Sequence, residues 1–423
     1  MERFDWTSAG SAERRAMLAR PGGREDDALL GAVRAIVADV RASGWAALVE
    51  QAVRIDGAEP ALVAVAPFAE EARRTFPVAT LDAIELARRN IEAFHRATLP
   101  GDIEVAVMPG LSVAKQWRPL GSAGLYVPGG KAPLFSTLLM LAIPARVAGV
   151  AQLTVVTPPR GDGGLDPAVA LAAELCAIEA VWTLGGAQAI AALAFGAGDI
   201  APVDRIFGPG NAWVAAAKAL VASLPGGPGI DLPAGPSELM VIADTSADPA
   251  LVAADLLSQA EHDFDAQVLL VSPDAALIDA VDREVAAQSA AIGGVFAPAR
   301  AILCADLDQA VEIANIYAPE HLSLATDAAD LLVPRIVNAG AIFAGHGAAE
   351  SFGDYLAGSS HVLPTDGAAR FTGGVSTMSF LKAVTVQRVG PVAAAALAGP
   401  AAALARLEGL EAHARAAEAR AAA

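Results

Sequence analysis

The sequence predicts an α/β protein built mainly on parallel sheets, and three observations carry that expectation. From about residue 103 onward, short apolar runs alternate with helical segments: Ile103–Met108, Leu153–Val156, Ala180–Leu184, Arg205–Phe207, Leu239–Ile242, Val268–Val271, Ala301–Leu303 and Ala341–Ala344. The first hundred residues read instead as helical. Leu29, Val33, Ile36, Val37 and Val40, then Ile84, Leu86, Ile91 and Phe94, recur at helical spacing. Composition agrees: of the 423 residues, 54% are hydrophobic and only 18% charged. The apolar surplus lies in alanine and valine rather than in aromatics, as helices packed closely on buried strands require.

A faint internal echo accompanies the alternation. The octapeptide Ala151–Pro158 is mirrored by Ala266–Pro273, and each follows one helical stretch and precedes another, which makes two related α/β halves plausible. Past residue 390 the chain is an alanine-rich helical tail with Leu404, Leu407 and Leu410 as its apolar stripe. Such a tail either packs on a partner subunit or faces solvent.

Charge narrows the partners. With 29 basic against 47 acidic residues the net charge is −18, which argues against nucleic acid or an anionic membrane. An anionic cofactor must then be held by backbone N–H groups and a few basic side chains. The two cysteines, Cys176 and Cys304, lie in apolar stretches, so neither a disulfide framework nor a Cys-rich metal site is expected; buried reduced thiols in a cytoplasmic protein are. The charged residues Glu2, Arg3, Asp5, Glu13, Arg14 and Arg15 do not read as a signal peptide. One uncharged run, Ala180 to Gly198, approaches the length of a membrane span, but Gly185-Gly186 divides it into a strand and a helix.

Three glycine-rich turns carry chemistry: Tyr126-Val127-Pro128-Gly129-Gly130-Lys131, Leu184-Gly185-Gly186-Ala187-Gln188 and Phe207-Gly208-Pro209-Gly210-Asn211. Each follows a strand, and glycines there let backbone approach a phosphate beside unpaired helix N–H donors. No GxGxxG is present, since Trp213 stands where its third glycine would be. Singly each is more readily a plain tight turn; three in one half of the chain point to a dinucleotide bound without the usual fingerprint.

The histidines are more pointed. Gln259 and His262 are i, i+3 neighbours at the end of an apolar helix, a spacing that suits either a shared metal or a hydrogen-bonded surface pair. Asp354 and His361 lie in a Gly/Ser-rich loop, and Glu408 and His413 in the tail, where a solvated helix face is the plainer reading. Beside Pro319, Glu320 and His321 offer two proton-transfer groups. Adjacent side chains point in different directions, which suits them to different protons.

Ten collinear segments over roughly residues 30 to 415 together resemble the histidinol dehydrogenase family: YVPGG (126–130), AIPARVAGV (142–150), GGAQAIAALAFG (185–196), GPGN (208–211), IDLPAGPSE (230–238), SQAEHD (258–263), YAPEHL (317–322), GDY (353–355), HVLPT (361–365) and EGLEAH (408–413). The resemblance implies two incomplete Rossmann-like parallel-sheet domains of related topology with small helical extensions. Residues 1–25 would form the N-terminal extension. Residues 26–125 with 236–375 would form a first domain carrying zinc and the catalytic groups, 126–235 a second, NAD-binding domain, and 376–423 a helical tail reaching the partner subunit.

It further implies oxidation of L-histidinol to L-histidine through the aldehyde, the last step of histidine biosynthesis, with two NAD⁺ reduced in succession. Zinc would be held by Gln259, His262, Asp354 and His413. Substrate would meet Ser237, Gln259, His262, His321, Asp354, Glu408 and His413, with His361 beside it. His413 and Glu408 would come from the partner chain of an intertwined homodimer. Tyr126, Gln188 and Asn211 match the NAD-contacting positions. His321 would be the base for the alcohol, Glu320 would activate water on the aldehyde, and zinc would align the substrate as a template.

There are departures from the family pattern. His346-Gly347-Ala348-Ala349-Glu350-Ser351 stands where Ser-Pro-Glu or Thr-Pro-Glu is common, and Leu134-Phe135 replaces Tyr-Pro near the first glycine turn, with Leu141 where Asn is frequent. His346 and His95 receive no role. The nearest rival is a dehydrogenase of another small alcohol, such as sulfopropanediol, on the same scaffold. A zinc hydrolase is disfavoured by the three turns and the lack of HExxH, and a non-catalytic assembly protein would not need both Glu320 and His321.

Overall fold

The computed structural model describes residues 1–20, 27–129, 133–232 and 235–421. Gly130 and Lys131 of the first glycine turn, Pro233 and Ala234 of the 230–238 motif, and the expected boundary at residues 25 and 26 lie outside the described residues.

Two six-stranded sheets form the frame. The upstream sheet runs, in spatial order, Ala61–Ala64, Ala180–Thr183, Gln152–Thr157, Ser122–Tyr126, Arg205–Phe207 and Gly229–Ile230. The downstream sheet runs Glu2–Asp5, Ala299–Leu303, Gln267–Ser272, Glu238–Ala243, His321–Ala325 and Ala341–Ala344. Within each, the five strands that follow one another in sequence are parallel and share one order, third-second-first-fourth-fifth, joined by helical crossovers. The echoed octapeptides form the second strand of each sheet. Their match therefore reflects equivalent positions in two related halves, as expected.

The edge strands differ. Ala61–Ala64 joins the upstream sheet antiparallel to Ala180–Thr183, whereas Glu2–Asp5 joins the downstream sheet parallel to Ala299–Leu303. Residues 1–25 are thus not a purely helical extension: a strand precedes helix Ser11–Met17 and completes a sheet edge.

The expected partition of residues 26–125 needs correcting. Val33, Ile36, Val37 and Val40 of helix Asp27–Ser43 do form its buried stripe, but they pack with Ile190, Leu193 and Val214 on the upstream half. Ile84 and Ile91 of helix Val78–Ala97 join Leu138 and Leu171 in the same half, while Leu86 and Phe94 face outward. Sheet pairing through Ala61–Ala64 and these buried faces assign 27–97 to the upstream, not the downstream, unit, with strand Ser122–Tyr126. An apolar stripe records that a helix is covered; it does not record which sheet covers it.

The last part of the chain also departs from a helical tail. After a 3-10 turn at Thr377–Phe380, strand Leu381–Val389 pairs antiparallel with Leu111–Pro119, which pairs in turn with Ile103–Met108. This three-stranded arm precedes helices Pro391–Leu407 and Glu411–Glu418. Strand Ile103–Met108 accordingly lies at the arm's edge instead of in a sheet core. The uncharged run at 180–198 divides as expected into strand Ala180–Thr183 and helix Gly186–Phe195. No helix among the described residues is long and apolar enough to cross a membrane.

Candidate active site

The proton-transfer candidates lie where strand His321–Ala325 begins, beside the start of strand Glu238–Ala243. His321 Nδ1 is 3.1 Å from the carbonyl oxygen of Glu238. A carbonyl only accepts, so Nδ1 carries the hydrogen and Nε2 is the bare nitrogen. Nε2 is buried without a hydrogen-bond partner, 3.7 Å from Asp354 Oδ1. Burial pushes this imidazole down to about 4, so it is neutral near pH 7. Its ring lies against Phe343 at a centroid distance of 5.8 Å.

Glu320 is buried alongside, its Oε2 accepting the Glu238 backbone N–H at 2.8 Å. Burial first, then the neighbouring carboxylates Glu238, Asp354 and Asp366, pushes its carboxyl well above the usual range.

Helix Pro249–Ala260 and the short helix Glu350–Tyr355 supply the flanking groups. Gln259 sits in the last turn of the first, fully buried, with neither amide atom hydrogen-bonded. His262 follows just beyond the helix end, exposed, with Nδ1 3.0 Å from the Ser258 carbonyl, an arrangement that leaves Nε2 as the outward nitrogen. It interacts electrostatically with both His321 and His361. Gly353, between Glu350 and Asp354, admits no side chain: a Cβ there would stand 2.5 Å from Phe343 Cε1. His361 Nδ1 faces the Asp354 carbonyl at 3.1 Å, and its Nε2 meets Thr137 Oγ1 of the upstream half at 2.9 Å. Ser237, half-buried, immediately precedes Glu238.

Sequence reasoning missed several groups here. Glu350 is fully buried with both oxygens unpartnered and Oε1 3.5 Å from His321 Nδ1; its place four residues before Asp354 on one helix was the available signal. Burial, then Asp354, Glu320 and Asp255, raises it well above the carboxylate range. Asp255, four residues before Gln259, is pushed up to about 6 by burial. Glu408 and His413 are not brought to this cluster; both are exposed on the terminal helices. Among the described residues, no group of three or more His, Cys, Asp or Glu is arranged to hold a metal ion.

The three cofactor candidates gather at the opposite, carboxyl-terminal edge of the upstream sheet. They flank the point where strand order reverses between Ser122–Tyr126 and Arg205–Phe207. The Tyr126 hydroxyl accepts the Gly186 N–H at 3.3 Å. Gln188 Nε2 donates to Asp56 Oδ2 at 3.1 Å, leaving its buried Oε1 unpartnered. Asp56, also missed from sequence, accepts the Gly185 N–H at 3.0 Å as well. Asn211 caps helix Ala212–Ser223, accepting from the N–H groups of Trp213 and Val214. Gly208 is required by geometry: at φ 125°, a Cβ would lie 2.1 Å from the Tyr126 carbonyl oxygen.

Comparison with known proteins decides the family. Residues 20–421 match the family described as histidinol dehydrogenase. The chain belongs to the histidinol dehydrogenase family. It is 46% identical over 424 residues to histidinol dehydrogenase from Xanthomonas euvesicatoria pv. vesicatoria (strain 85-10), covering 98% of each chain. It is 47% identical over 393 residues to that of Rhizobium meliloti (strain 1021), covering 90% of each. The crystal structure of histidinol dehydrogenase from Elizabethkingia anophelis superposes with a TM-score of 0.92 at 36% identity, covering 99% of this chain and 98% of that one. The α/β expectation is borne out, and the rival reading as a dehydrogenase of another small alcohol finds no support in these relatives.

Proposed function

We propose that the chain oxidises L-histidinol to L-histidine in two NAD⁺-dependent steps, with Glu320 and His321 as its proton-transfer groups. The observation that carries this reading is the fixed tautomer of His321: a neutral imidazole, its Nδ1–H held by a carbonyl and its Nε2 bare in a buried site. In the first step Nε2 takes the substrate hydroxyl proton as hydride leaves the carbinol carbon for NAD⁺, giving the aldehyde. In the second, Glu320 as its carboxylate takes a proton from water as that water adds to the aldehyde, leaving a gem-diolate; hydride from its carbon reduces a second NAD⁺ and leaves the carboxyl group of L-histidine, and Glu320 returns its proton to solvent. Tyr126, Gln188 and Asn211 line the cofactor crevice, where strand ends and helix N–H groups suit a dinucleotide in a chain of charge −18.

Zinc fits the donor set. Gln259 keeps a buried amide oxygen without a partner, Asp354 offers a carboxylate, and His262 presents its Nε2. The buried carboxyl groups of Glu320 and Glu350, with the nearby Asp255 and Asp354, make the region suited to a cation. When bound, the metal supplies a template that fixes the substrate's amino and imidazole nitrogens. A fourth ligand, His413, and the substrate contact Glu408 come in this reading from a second copy of the chain. Exposed apolar residues, Ile103 on the arm at 60% and Leu407 at the end of the following helix at 85%, support a dimer that covers them. Ser237, His361 and the three zinc-side residues of the same chain complete the substrate pocket. A cytoplasmic location accords with two buried free thiols.

The test is NADH formation by the zinc-loaded protein given L-histidinol, against a panel of other amino alcohols and diols. Absence of NADH with bound metal would falsify the reading.

A further inference from the structure

Arg20 is remote in sequence from the catalytic pair, yet its guanidinium binds both the residue that the pair contacts, Glu238, and the turn that leads into the pair. Nε and Nη2 donate to the two oxygens of Glu238 at 2.5 and 2.8 Å, and Nη2 also reaches the carbonyls of Tyr317 at 3.0 Å and Ala318 at 3.4 Å. Cζ stands 3.8 Å from the Tyr317 ring centroid. The segment leading to Arg20 is itself tied down, because Arg300 Nη1 donates to the carbonyls of Met17 and Ala19 at 2.8 and 2.9 Å.

Both ends of this clamp lead to the proton-transfer groups. Glu238 is fully buried, and its side chain is satisfied by Arg20 and by the Asp366 N–H at 2.9 Å. That leaves its backbone to serve the site: the N–H donates to Glu320 Oε2 and the carbonyl holds His321 Nδ1–H. Tyr317 and Ala318 close helix Leu307–Tyr317, which exits through a left-handed Ala318 at φ 57° directly into Pro319 and Glu320. Carbonyls at a buried helix end need donors, and a non-glycine left-handed residue persists only where its surroundings hold it. Arg20 meets the first need and contributes to the second. A bidentate guanidinium can span both elements in a way that a lysine's point charge cannot.

We infer that Arg20 and Glu238 form a buried positioning pair that sets the relative placement of Glu320 and His321. The inference rests on the reading of those two as the proton-transfer groups. Neither Arg20 nor Glu238 touches the reacting atoms through its side chain; each acts through the Glu238 backbone and the Ala318 turn.

The experiment uses the full-length, zinc-loaded enzyme and its Arg20→Met, Arg20→Lys, Glu238→Gln and Arg20→Met/Glu238→Gln variants, with alcohol and aldehyde oxidation measured separately. A displacement of about 1 Å can cost on the order of 100-fold, so kcat should fall at least about 10-fold in both half-reactions for Arg20→Met. KM for NAD⁺ should stay within about twofold, because that crevice sits on the other sheet, and the double variant should be no worse than the poorer single one, as expected of one unit. Nitrogen-15 NMR of histidine-labelled protein should assign His321 the Nδ1–H tautomer in the parent and a mixture in Arg20→Met. Unchanged kcat, a parallel rise in the KM for NAD⁺, additive losses, or an unaltered tautomer in folded Arg20→Met would each overturn the inference. Should Arg20→Met not fold, Arg20→Lys decides: reduced kcat supports the clamp, full kcat overturns it. If the parent itself fails to oxidise histidinol, the proposed function falls, while the tautomer comparison still tests the clamp.

Discussion

The two proposed proton-transfer groups share one backbone residue, since the amide of Glu238 meets Glu320 and its carbonyl meets His321. The shared partner does not give them a shared proton: His321 presents Nε2 as a base, and Glu320 is a buried carboxyl that binds its proton more tightly than usual. Separate roles make separate losses the expected outcome. His321→Asn should depress alcohol oxidation by about 100-fold or more, the usual range for removing a general base, and Glu320→Gln should depress aldehyde oxidation more than alcohol oxidation. Rapid-quench measurement of each half-reaction checks this; equal losses in both would remove the division of labour. On the cofactor side, Gly208→Ala should raise the KM for NAD⁺ and lower the thermal midpoint, because its Cβ would drive into the Tyr126 carbonyl. The Glu320–His321 pair was legible because proline, carboxylate and imidazole adjoin in the chain. Arg20, Glu350 and Asp56 were not, because each meets its partners only after distant elements have packed.

At the scale of elements, what could be read followed periodicity. The echoed octapeptides became equivalent strands, and the stripe at Val33, Ile36, Val37 and Val40 became a buried helix face. Short or exposed strands escaped: Leu111–Pro119 and Leu381–Val389 lie in the solvent-facing arm and carry too little apolar pattern to announce themselves. Between that arm and the upstream half, His95 of helix Val78–Ala97 is fully buried against the 3-10 turn, its Nδ1 3.1 Å from Thr377 Oγ1 and its Nε2 unpartnered. Burial lowers its pKa to about 4 from 6.5. The unfolded chain therefore takes up this proton first as pH falls, so the stabilisation is fully present above about pH 6.5 and is lost progressively down to about pH 4. The shift corresponds to about 3 kcal/mol at most. Denaturant titrations at pH 7 and pH 5 should show a smaller acid-induced loss in His95→Gln than in the parent, whatever its effect at neutral pH; an equal loss would place the acid sensitivity elsewhere.

At the scale of the whole molecule, the proposed ligand set is one that a single chain does not bring together. Helix Pro249–Ala260, which carries Gln259 and ends just before His262, packs against helix Glu350–Tyr355, which carries Asp354, whereas His413 lies exposed on a terminal helix beyond an arm whose edge strand is apolar and uncovered, with Val105 at 53% and Val107 at 59% exposure. An open apolar edge strand is a liability for a monomer and a natural seam for a second copy. If that copy supplies His413, defects in different residues should complement. Mixing inactive His413→Ala with inactive Gln259→Ala subunits after joint refolding gives about half mixed dimers, each with one intact site of two, so about a quarter of the parent activity should return. Were both ligands drawn from the same chain, every site in every mixed dimer would carry a defect and the mixture would stay inactive. Sedimentation of the same samples separates a failure to exchange subunits from a failure to complement. Activity near a quarter of the parent value would locate each site between two chains.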